Sequence, residues 1–308
     1  MRIGIAGAGA VGCHYGSLLQ QAGCDVRLLA RGAHLAAMQK DGLLHMSNGV
    51  ETQLAVQASD DATLFDDAEV IFLAGKMTNF PELLATLSKH VAEDALLVTL
   101  QNGVAAPDMV QQAFPWHAVA AGTAFIGARI ERPGMVVHSA AGGVRLGLWQ
   151  HGSGEAKLQF LMAALHQADV PIREEADARL MLWRKLLWNC GFNALTAITH
   201  RFARDMAAND ATLGLVKSAM QETVAVARKE GVGLGDEDID KHVQVTLEMG
   251  PVKTSMWQDI KRGHATEVDF INGFVVSRGA QLNVATPVNS MLTTLVHAIE
   301  DSGNHSKM

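Results

Sequence analysis

The sequence lacks several features that would have pointed to particular classes of protein. It holds only three cysteines in 308 residues, Cys13, Cys24 and Cys190, which are widely spaced and lie in apolar sequence. This argues against a disulfide framework or a zinc site and favours reduced thiols. No apolar run approaches the ~18 residues of a membrane span, and Met1 leads into a strand pattern, not a signal peptide. We therefore expect a cytoplasmic protein.

Clusters of basic residues are also missing. The 25 Lys and Arg residues are scattered and are outnumbered by 32 Asp and Glu residues, giving a formal net charge of −7. This argues against nucleic acid or an anionic membrane as a partner. What the chain does have is a globular composition, with 48% hydrophobic, 19% charged and few aromatic residues, and a length that predicts two domains.

A glycine-rich turn near the amino terminus is the first positive signal. Arg2 to Ala6 has the pattern of a buried strand, and it runs through Gly7-Ala8-Gly9-Ala10-Val11-Gly12 into an apolar-periodic helix that ends near Gln21. In this pattern the first glycine permits the turn, the second lets a pyrophosphate approach, and the third lets helix and strand pack closely. The helix start then offers N–H groups to phosphates. The sequence predicts a Rossmann-type dinucleotide-binding domain.

The end of the second predicted strand indicates which dinucleotide is preferred. Asp25 to Ala30 is that strand, and Arg31 follows where an NAD-preferring site usually has Asp or Glu for the ribose 2′-hydroxyl. A guanidinium binds a 2′-phosphate through charge-assisted forked hydrogen bonds, so Arg31 favours NADP(H). The alternative is an ordinary surface arginine at a strand end.

Two more strand ends carry polar residues at the expected ligand-binding edge. Val70 to Ala74 is followed by Gly75 and Lys76, and Ala95 to Leu100 is followed by Gln101-Asn102-Gly103. Ligands of doubly wound sheets bind beyond the carboxyl ends of the strands. Lys76 is thus a candidate for the cofactor phosphates or ribose, and Asn102 for the nicotinamide ribose and the substrate. A solvated loop lysine and an ordinary Asn-Gly turn are the alternatives.

The remaining amino-terminal patterns complete the first domain, and the hairpin among them is assigned no chemistry. They predict a hairpin, a helix, a parallel strand, three antiparallel strands, a loop at 150–154 and a closing helix before a boundary near residue 175. In order, these are Leu43 to Ser47 with Gln53 to Val56, Pro81 to Val91, Val119 to Gly122, Phe125 to Ile130, Met135 to His138, Gly143 to Leu148, and, after the loop, Glu155 to Gln167.

From Asp177 onward the apolar spacing is helical almost throughout. We expect an α/β Rossmann domain over residues 1–175, an all-α domain over residues 176–308, and a cleft where nicotinamide and substrate could meet. The predicted helices are Asp177 to Thr199, Asp210 to Glu230, Ile239 to Met249, Ser255 to Lys261, Thr266 to Gln281 and Pro287 to Glu300.

The first of these helices carries a polar stripe. Lys185, Asn189 and Asn193 are four residues apart, so they line one narrow face of a helix whose other faces are apolar. Buried polar groups need partners, and a substrate with a carbonyl and a carboxylate would supply them. The alternative is a helix whose polar side simply meets water.

Two predicted helix starts follow one another closely. Ser255 and Thr266 are both suitable N-cap residues, and Thr266 with Asp269 has the Thr-x-x-Asp spacing of a capping box. Ser255 could instead offer its hydroxyl and nearby N–H groups to a carboxylate. Glu267, in a first helical turn, gains from the helix dipole, so its presence alone does not prove a chemical role.

Together these residues resemble the ketopantoate reductase (2-dehydropantoate 2-reductase) family. The resemblance covers nearly the whole chain, from the glycine-rich run through the Lys-x-x-x-Asn-x-x-x-Asn stripe to Ser255-Met-Trp-Gln-Asp and Thr266-Glu267-x-Asp269. It implies a helical domain like that of 6-phosphogluconate dehydrogenase after the Rossmann domain. It also implies NADPH-dependent reduction of 2-dehydropantoate to (R)-pantoate in pantothenate and coenzyme A biosynthesis, by a monomer or homodimer.

The resemblance also implies roles for individual residues. Lys185 would donate the proton to the carbonyl oxygen, while Glu267 would lie beside the cofactor and the substrate hydroxyl. Asn189, Asn193 and Ser255 would hold the substrate, with Ser255 at its carboxylate. An ammonium group suits its role because hydride transfer to a ketone builds negative charge on oxygen. The implied cofactor contacts are Gly7, Ala8, Gly9, Ala10, Val11, Gly12, Arg31, Lys76, Asn102, Ala128 and Glu267, and Asn102 would also touch the substrate.

One position departs from the family pattern. An asparagine three residues before the serine is expected to contact the substrate, and here that position is Val252. The stretch Thr199-His200-Arg201-Phe202-Ala203 offers no asparagine either. The exact 2-oxo acid is therefore open. An NADPH-dependent reductase of another branched or hydroxylated 2-oxo acid and a non-catalytic NADPH-binding sensor on the same fold are the alternatives.

Overall fold

A computed structural model describes residues 1–150 and 154–305. The chain folds into two compact units. The first consists of Met1–Gln101 and Ala105–Ala178, and the second of Asn102–Val104 with the chain from Arg179 onward. The predicted loop at 150–154 lies mostly outside the described residues. None of the helices in the described ranges is long and apolar enough to cross a membrane.

The first unit is built on a sheet to which the described residues contribute ten strands. The order across the sheet is β4-β3-β9-β8-β7-β6-β1-β2-β5, and β10 pairs with β9. The strands are β1 Arg2–Ala6, β2 Asp25–Leu29, β3 Leu43–Ser47, β4 Val50–Leu54, β5 Gln57–Ser59, β6 Val70–Leu73, β7 Leu96–Thr99, β8 Ala118–Arg132, β9 Met135–Leu148 and β10 Ile172–Glu174.

The central strands form the parallel part of this sheet. In the register, Ala6 pairs with both Leu29 and Leu73, and Leu73 pairs with Thr99, so these four strands end at one level. The strands β6 and β7 are buried along their whole length, as expected where helices cover both faces of a parallel sheet. The residues that follow these strands therefore gather at a single edge.

The described residues of the first unit also form the helices α1 Ala10–Gln21, α2 Gly32–Asp41, α3 Phe80–Leu87, α4 Ala106–Ala113 and α5 Glu155–Gln167. The buried face of α1 packs on the sheet, and the hydroxyl of Tyr15 donates to the Gly142 carbonyl oxygen of β9 at 3.2 Å. The bounds predicted for α5 are confirmed, and those of α1 are within one residue. The sequence reading missed α2, α4, β5 and β10.

Three predictions in this unit were wrong in detail. The three antiparallel segments after Gly122 are parts of only two long strands, β8 and β9, because the pairing continues across register shifts at Phe125/Ile126, Gly127/Ala128 and Ile130/Arg132. Bulges absorb the irregular positions without ending the ladder. The second arm of the early hairpin is Val50–Leu54 and not Gln53 to Val56, and α3 ends at Leu87, four residues before the predicted end.

The second unit is helical, and its described residues form α6 Ala178–Thr199, which starts at the last residue of the first unit, α7 Ala203–Ala207, α8 Asp210–Lys229, α9 Asp236–Glu248, α10 Ser255–Arg262, α11 Asn272–Gln281 and α12 Pro287–His305. A buried amide network fixes α6 among its neighbours. The Asn272 side chain donates to the Cys190 carbonyl oxygen at 3.0 Å and to Asn289 Oδ1 at 2.9 Å. The Asn289 amide in turn donates to Glu222 of α8 at 2.7 Å.

The predicted helix from Thr266 to Gln281 is wrong. A short 3-10 turn, Val268–Phe270, comes first, and α11 starts only after Ile271, whose φ of −113° and ψ of −93° lie outside the helical region. The predicted capping box is also wrong. The N–H of Thr266 donates to Glu300 of α12 at 2.6 Å, so Thr266 is anchored by a distant helix and Asp269 is free of the capping role.

Candidate functional site

The glycine-rich turn has the geometry that its sequence predicts. Gly7 has a φ of +106°, and a Cβ built there would lie 2.5 Å from the Gly75 nitrogen. A Cβ on Gly12 would lie 2.5 Å from the Gly7 carbonyl oxygen and 2.7 Å from Ile5. A Cβ on Gly9 would meet nothing within 4 Å. Only the middle glycine therefore faces open space, which is the place where a phosphate could approach the backbone.

The start of α1 lies directly beside this space. Gly9 is its N-cap residue and has no side chain that could cap the helix. The first N–H of the helical hydrogen-bond pattern is that of Cys13, which donates to the Gly9 carbonyl oxygen at 2.8 Å. The N–H groups of Ala10, Val11 and Gly12 thus precede any intrahelical acceptor. Free N–H groups and the positive end of the helix dipole suit a pyrophosphate, so these residues fit a dinucleotide.

Arg31 follows β2 and sits beside the glycine turn. The N–H of Ala8 donates to the Leu29 carbonyl oxygen at 3.1 Å, which ties the turn to the end of β2. The Arg31 side chain is 72% exposed, and its guanidinium makes only a loose ion pair with Glu82 at 3.8 Å. Because exposed ion pairs of this kind are weak, the guanidinium could turn to a ligand phosphate at little cost.

The ends of β6 and β7 are linked by Gln101. Its buried side-chain nitrogen donates to the carbonyl oxygens of Leu73 at 2.8 Å and Gly75 at 3.2 Å. Its Oε1 atom finds no hydrogen-bond partner among the described residues. The sequence reading gave Gln101 no role beyond the turn, although it supports the edge that carries Lys76. The Lys76 side chain is exposed at this edge.

Ala128 lies in the long strand β8, next to the bulge at Gly127, and pairs with His138 of β9. It is half-buried. No polar atom of its side chain can recognise a ligand, so a cofactor contact there would involve its backbone or its methyl group.

The polar stripe of α6 is present in the second unit. Asn189 is 5% exposed and Asn193 is 1% exposed, among the apolar residues of a buried helix. The Nδ2 atom of Asn189 and the Oδ1 atom of Asn193 have no hydrogen-bond partner among the described residues. A buried donor or acceptor without a partner costs about 1–3 kcal/mol. These two amides could therefore hydrogen-bond to a bound molecule.

Lys185 lies at the amino-terminal end of the same stripe. Burial lowers its pKa from the ordinary value of 10.5 to about 8, while the nearby charge of Glu267 acts in the opposite direction. The ammonium form therefore still dominates at neutral pH, but its proton is lost far more readily than that of an exposed lysine. A pKa this close to neutrality suits a group that must give up a proton during turnover.

Glu267 is joined to Asn102, which belongs to the second unit. The Asn102 amide nitrogen donates to Glu267 Oε2 at 3.0 Å. Gly103 makes this approach possible, because its φ is +90° and a Cβ there would lie 2.6 Å from the Phe270 carbonyl oxygen. Three of the predicted site residues, Lys185, Glu267 and Asn102, are thus brought together.

Ser255 is connected to the stripe through two buried hydroxyl groups. Thr196 donates to the Asn193 carbonyl oxygen at 3.0 Å, and the Thr254 and Thr196 hydroxyl oxygens lie 2.7 Å apart. Thr254 also accepts the N–H of Trp257 at 3.3 Å, which makes Thr254, and not Ser255, the N-cap of α10. The prediction of Ser255 as a cap was wrong, and its exposed hydroxyl is not used in capping.

The chain just before Ser255 has an apolar, open surface. Val252 is 48% exposed, whereas Trp257, five residues later in the chain, is buried. The ring of His200 stacks on Trp257 with centroids 6.0 Å apart, and the Lys253 ammonium lies 4.9 Å from the Trp257 ring centroid. No asparagine stands at position 252, so the exposed side chain three residues before Ser255 is apolar.

Comparison with known protein families gives one result for both halves of the chain. Residues 3–151 match the family described as ketopantoate reductase PanE/ApbA, and residues 177–300 match its carboxyl-terminal counterpart. A 2-dehydropantoate 2-reductase from Streptococcus pyogenes serotype M1 is 30% identical, over 97% of this chain and 98% of that protein.

Solved structures agree with this result. A PanE/ApbA family ketopantoate reductase from Ralstonia eutropha JMP134 is 33% identical, with a TM-score of 0.90 over 99% of this chain and 100% of that one. A D-mandelate dehydrogenase in a ternary structure with NADH and anilino(oxo)acetate is 28% identical, with a TM-score of 0.91 and the same coverage of both chains. An α/β sheet unit followed by a helical unit is thus the shared architecture, and this chain belongs to the ketopantoate reductase family of oxidoreductases.

Proposed function

We propose that this protein reduces 2-dehydropantoate to (R)-pantoate with NADPH, in the biosynthesis of pantothenate and coenzyme A. One observation carries the proposal: a lysine whose pKa is lowered to about 8 shares a helix face with two buried amides, each with one atom that has no hydrogen-bond partner among the described residues. A 2-oxo acid offers the carbonyl and carboxylate oxygens that such groups bind.

The reaction requires charge stabilisation at the carbonyl oxygen of the substrate. A bound nicotinamide supplies the hydride, and Lys185 stabilises the developing negative charge and gives its proton to the oxygen. Asn189, Asn193 and Ser255 hold and orient the 2-oxo acid, with Ser255 at the carboxylate. Glu267 raises the pKa of Lys185 and, with Asn102, would lie beside the substrate hydroxyl and the nicotinamide ribose.

The dinucleotide is held by the first unit in this proposal. Gly9 and the first N–H groups of α1 would hold its pyrophosphate, because a Cβ at that glycine would meet open space. Lys76 and Ala128 add contacts to the cofactor. Arg31 contacts the 2′-phosphate and gives the preference for NADPH.

Arg31→Ala is expected to weaken NADPH binding by about 10- to 100-fold and NADH binding far less, because charge-assisted hydrogen bonds contribute about 1.5–3 kcal/mol. Dissociation constants of both cofactors, from fluorescence titration of wild-type and variant protein, measure the difference. Glu82→Gln is the matched control, since it removes only the exposed ion-pair partner of Arg31 and should leave both constants nearly unchanged. Equal losses for NADPH and NADH in Arg31→Ala would exclude recognition of the 2′-phosphate.

The activity itself is tested with purified protein, NADPH and a panel of 2-oxo acids, by following the loss of reduced-nicotinamide absorbance. We expect the highest kcat/KM with 2-dehydropantoate, and the product should have the R configuration by chiral chromatography. Tight NADPH binding without turnover of any 2-oxo acid would instead favour the non-catalytic sensor.

A second candidate is an NADPH-dependent reductase of a 2-oxo acid with a bulkier, apolar side chain. Val252 favours it, because an exposed apolar residue three positions before Ser255 cannot hydrogen-bond to a substrate hydroxyl. The D-mandelate dehydrogenase of similar structure was solved with NADH and anilino(oxo)acetate, an oxalic acid monoamide that carries an aromatic ring beside its carbonyl and carboxylate groups. Higher kcat/KM with an aromatic 2-oxo acid such as benzoylformate than with 2-dehydropantoate would select this candidate.

Val252→Asn is expected to raise kcat/KM for 2-dehydropantoate relative to 2-oxoisovalerate, which lacks the hydroxyl, by about fivefold, since one net hydrogen bond contributes about 1 kcal/mol. The ratio of the two kcat/KM values is the measurement. Val252→Ala is the control, because it removes apolar contact without adding a donor and should not raise the ratio. An unchanged ratio in Val252→Asn would mean that position 252 does not face the substrate hydroxyl.

A further inference from the structure

The segment that carries Glu267 is held in place from one side of α12. On the amino-terminal side of Glu267, the N–H of Thr266 donates to Glu300 Oε1 at 2.6 Å. On its carboxyl-terminal side, Asp269 Oδ1 lies 2.9 Å from His297 Nε2. The remaining ring nitrogen, His297 Nδ1, lies 3.2 Å from Glu300 Oε2. His297 and Glu300 therefore hydrogen-bond to the chain on both sides of Glu267.

The ring of His297 lies between two carboxylates. Both of its nitrogens face carboxylate oxygens, which only accept hydrogen bonds, so both bonds require the protonated ring. The hydrogen bond to Asp269 is the largest cause that raises the pKa of His297 above its ordinary value, and Glu300 acts in the same direction. The ring keeps one of the two bonds when it is neutral, because one nitrogen then retains its hydrogen.

We propose that His297 is a positioning residue that sets Glu267 beside Lys185 through its bonds to Asp269 and Glu300. The inference rests on the proposed function, in which Lys185 is the proton donor. Within the segment, Thr266 Oγ1 accepts the N–H of Val268 at 3.2 Å, so the turn between the two anchors is itself closed. The Asn102 side chain also donates to Glu267 Oε2 at 3.0 Å, so the anchors from α12 act together with that bond on the position of Glu267.

The charged groups on the elements around α12 do not compete for His297. On α11, Arg278 is paired with Glu230. On α8, Glu222 accepts the N–H groups of Val288 and Asn289 at the start of α12, away from His297. Of the groups that interact with the imidazole, Asp269 and Glu300 are the ones that raise its pKa. The imidazolium is therefore bonded to the two carboxylates that hold the Glu267 segment, and not to the ion pairs of α8 and α11.

The position of Glu267 affects the pKa of Lys185, the proposed proton donor. The charge of Glu267 raises the pKa of Lys185 against the larger effect of burial. If the anchors are released, Glu267 moves away on average and part of that effect is lost. His297→Gln should then lower the pKa of Lys185 below about 8, in the same direction as Glu267→Gln and by a smaller amount.

The test measures the pKa of the Lys185 ammonium by nitrogen-detected NMR titration and, in parallel, the alkaline limb of kcat against pH. We expect His297→Gln to shift both by about 0.3 to 0.5 pH unit towards lower pH, since part of one charge interaction is lost. The double variant His297→Gln/Glu267→Gln should show no shift beyond that of Glu267→Gln alone, because both changes act through one group.

Two further variants keep the proposal open to refutation. Asp269→Asn removes one anchor at an exposed position and should reproduce part of the shift even if His297→Gln folds poorly. His90→Gln is the matched control, because His90 pairs with Asp66 at 2.8 Å in the first unit and should not affect Lys185. A lower melting temperature in His297→Gln with an unchanged Lys185 pKa would make His297 merely structural. Shifts that add fully in the double variant would also overturn the proposal.

The NMR titration separates this inference from the proposed function. If the protein reduces no 2-oxo acid, the kinetic limb cannot be measured and the proposed function fails. The shift of the Lys185 pKa in His297→Gln can still be present or absent in the protein with bound NADPH. Its presence would retain the positioning role without the reaction, and its absence would remove that role.

Discussion

Lys185→Ala is expected to lower kcat by about 100-fold or more, which is the usual scale for the loss of a general acid. NADPH affinity should change little, because Lys185 lies on α6 of the second unit and the dinucleotide is held by the first unit in our proposal. Steady-state kinetics with 2-dehydropantoate and NADPH titration measure the two quantities. Near-normal kcat in this variant would remove Lys185 from the role of proton donor.

The pH dependence of the wild-type protein gives a second check on the same residue. A proton donor must be charged, and the pKa of Lys185 is lowered to about 8. Reduction should therefore be constant below this pH and fall by about tenfold per pH unit above it, whereas oxidation of the hydroxy acid should rise over the same range. Glu267→Gln removes the charge that raises the pKa, so its alkaline limb should move to lower pH. A limb near the ordinary pKa of lysine would contradict the burial of this ammonium.

Substitution of Lys185 by Ala removes both the charge and the aliphatic stem of the side chain, so a control variant is needed to separate the two effects. Leu186 and Leu187, the next two residues of α6, are fully buried, so a change of side-chain volume at position 185 could also disturb the packing of this helix. Lys185→Met is the matched control, because it keeps most of the aliphatic stem and removes the ammonium. Equal losses of kcat in Lys185→Met and Lys185→Ala would assign the effect to charge and not to packing.

The parts of the site that the sequence predicted are those that depend on local spacing. Gly7, Gly9 and Gly12 act within one strand-turn-helix unit, and their steric roles follow from three positions within six residues of the chain. Lys185, Asn189 and Asn193 share a face because helical geometry fixes the direction of every fourth residue. Both predictions need only the residues in one element.

The parts that the sequence did not predict depend on contacts between distant residues. Thr266 is anchored by Glu300, 34 residues away, so its local Thr-x-x-Asp spacing suggested a partner that it does not have. Thr254 reaches Thr196 across 58 residues. Such pairs leave no periodic signal in a single sequence, and the identity of the residues at either end is compatible with ordinary capping or solvent exposure.

The elements of the fold that were predicted wrongly also lack a clear local pattern in the sequence. The helix α2 was missed because only Leu35 and Met38 are buried along its ten residues, which is too faint an apolar stripe to recognise. The strands β8 and β9 were divided at small residues such as Gly122, where a break seemed required. Gly122 instead fits closely in the sheet, since a Cβ there would lie 2.6 Å from Leu146 and 2.7 Å from Leu100.

Gly9→Ala is expected to weaken NADPH binding by about 10- to 100-fold with little loss of stability, because the added methyl group would occupy the space assigned to the pyrophosphate. In the protein alone that methyl group meets nothing within 4 Å, and Gly9 has a φ of −82°, which alanine adopts readily. NADPH titration and thermal unfolding without cofactor measure the two effects. Wild-type NADPH affinity in Gly9→Ala would exclude the turn as the phosphate site.

Gly12→Ala is the matched comparison, since it adds the same methyl group three residues further along the same turn. There the methyl would lie 2.5 Å from the Gly7 carbonyl oxygen and 2.7 Å from Ile5, so strand and helix must move apart. Overpacking of this kind costs about 1–3 kcal/mol, and we expect a lower melting temperature even without cofactor. One methyl group at Gly9 would then act on the ligand and the same group at Gly12 on the fold, because only Gly9 faces open space.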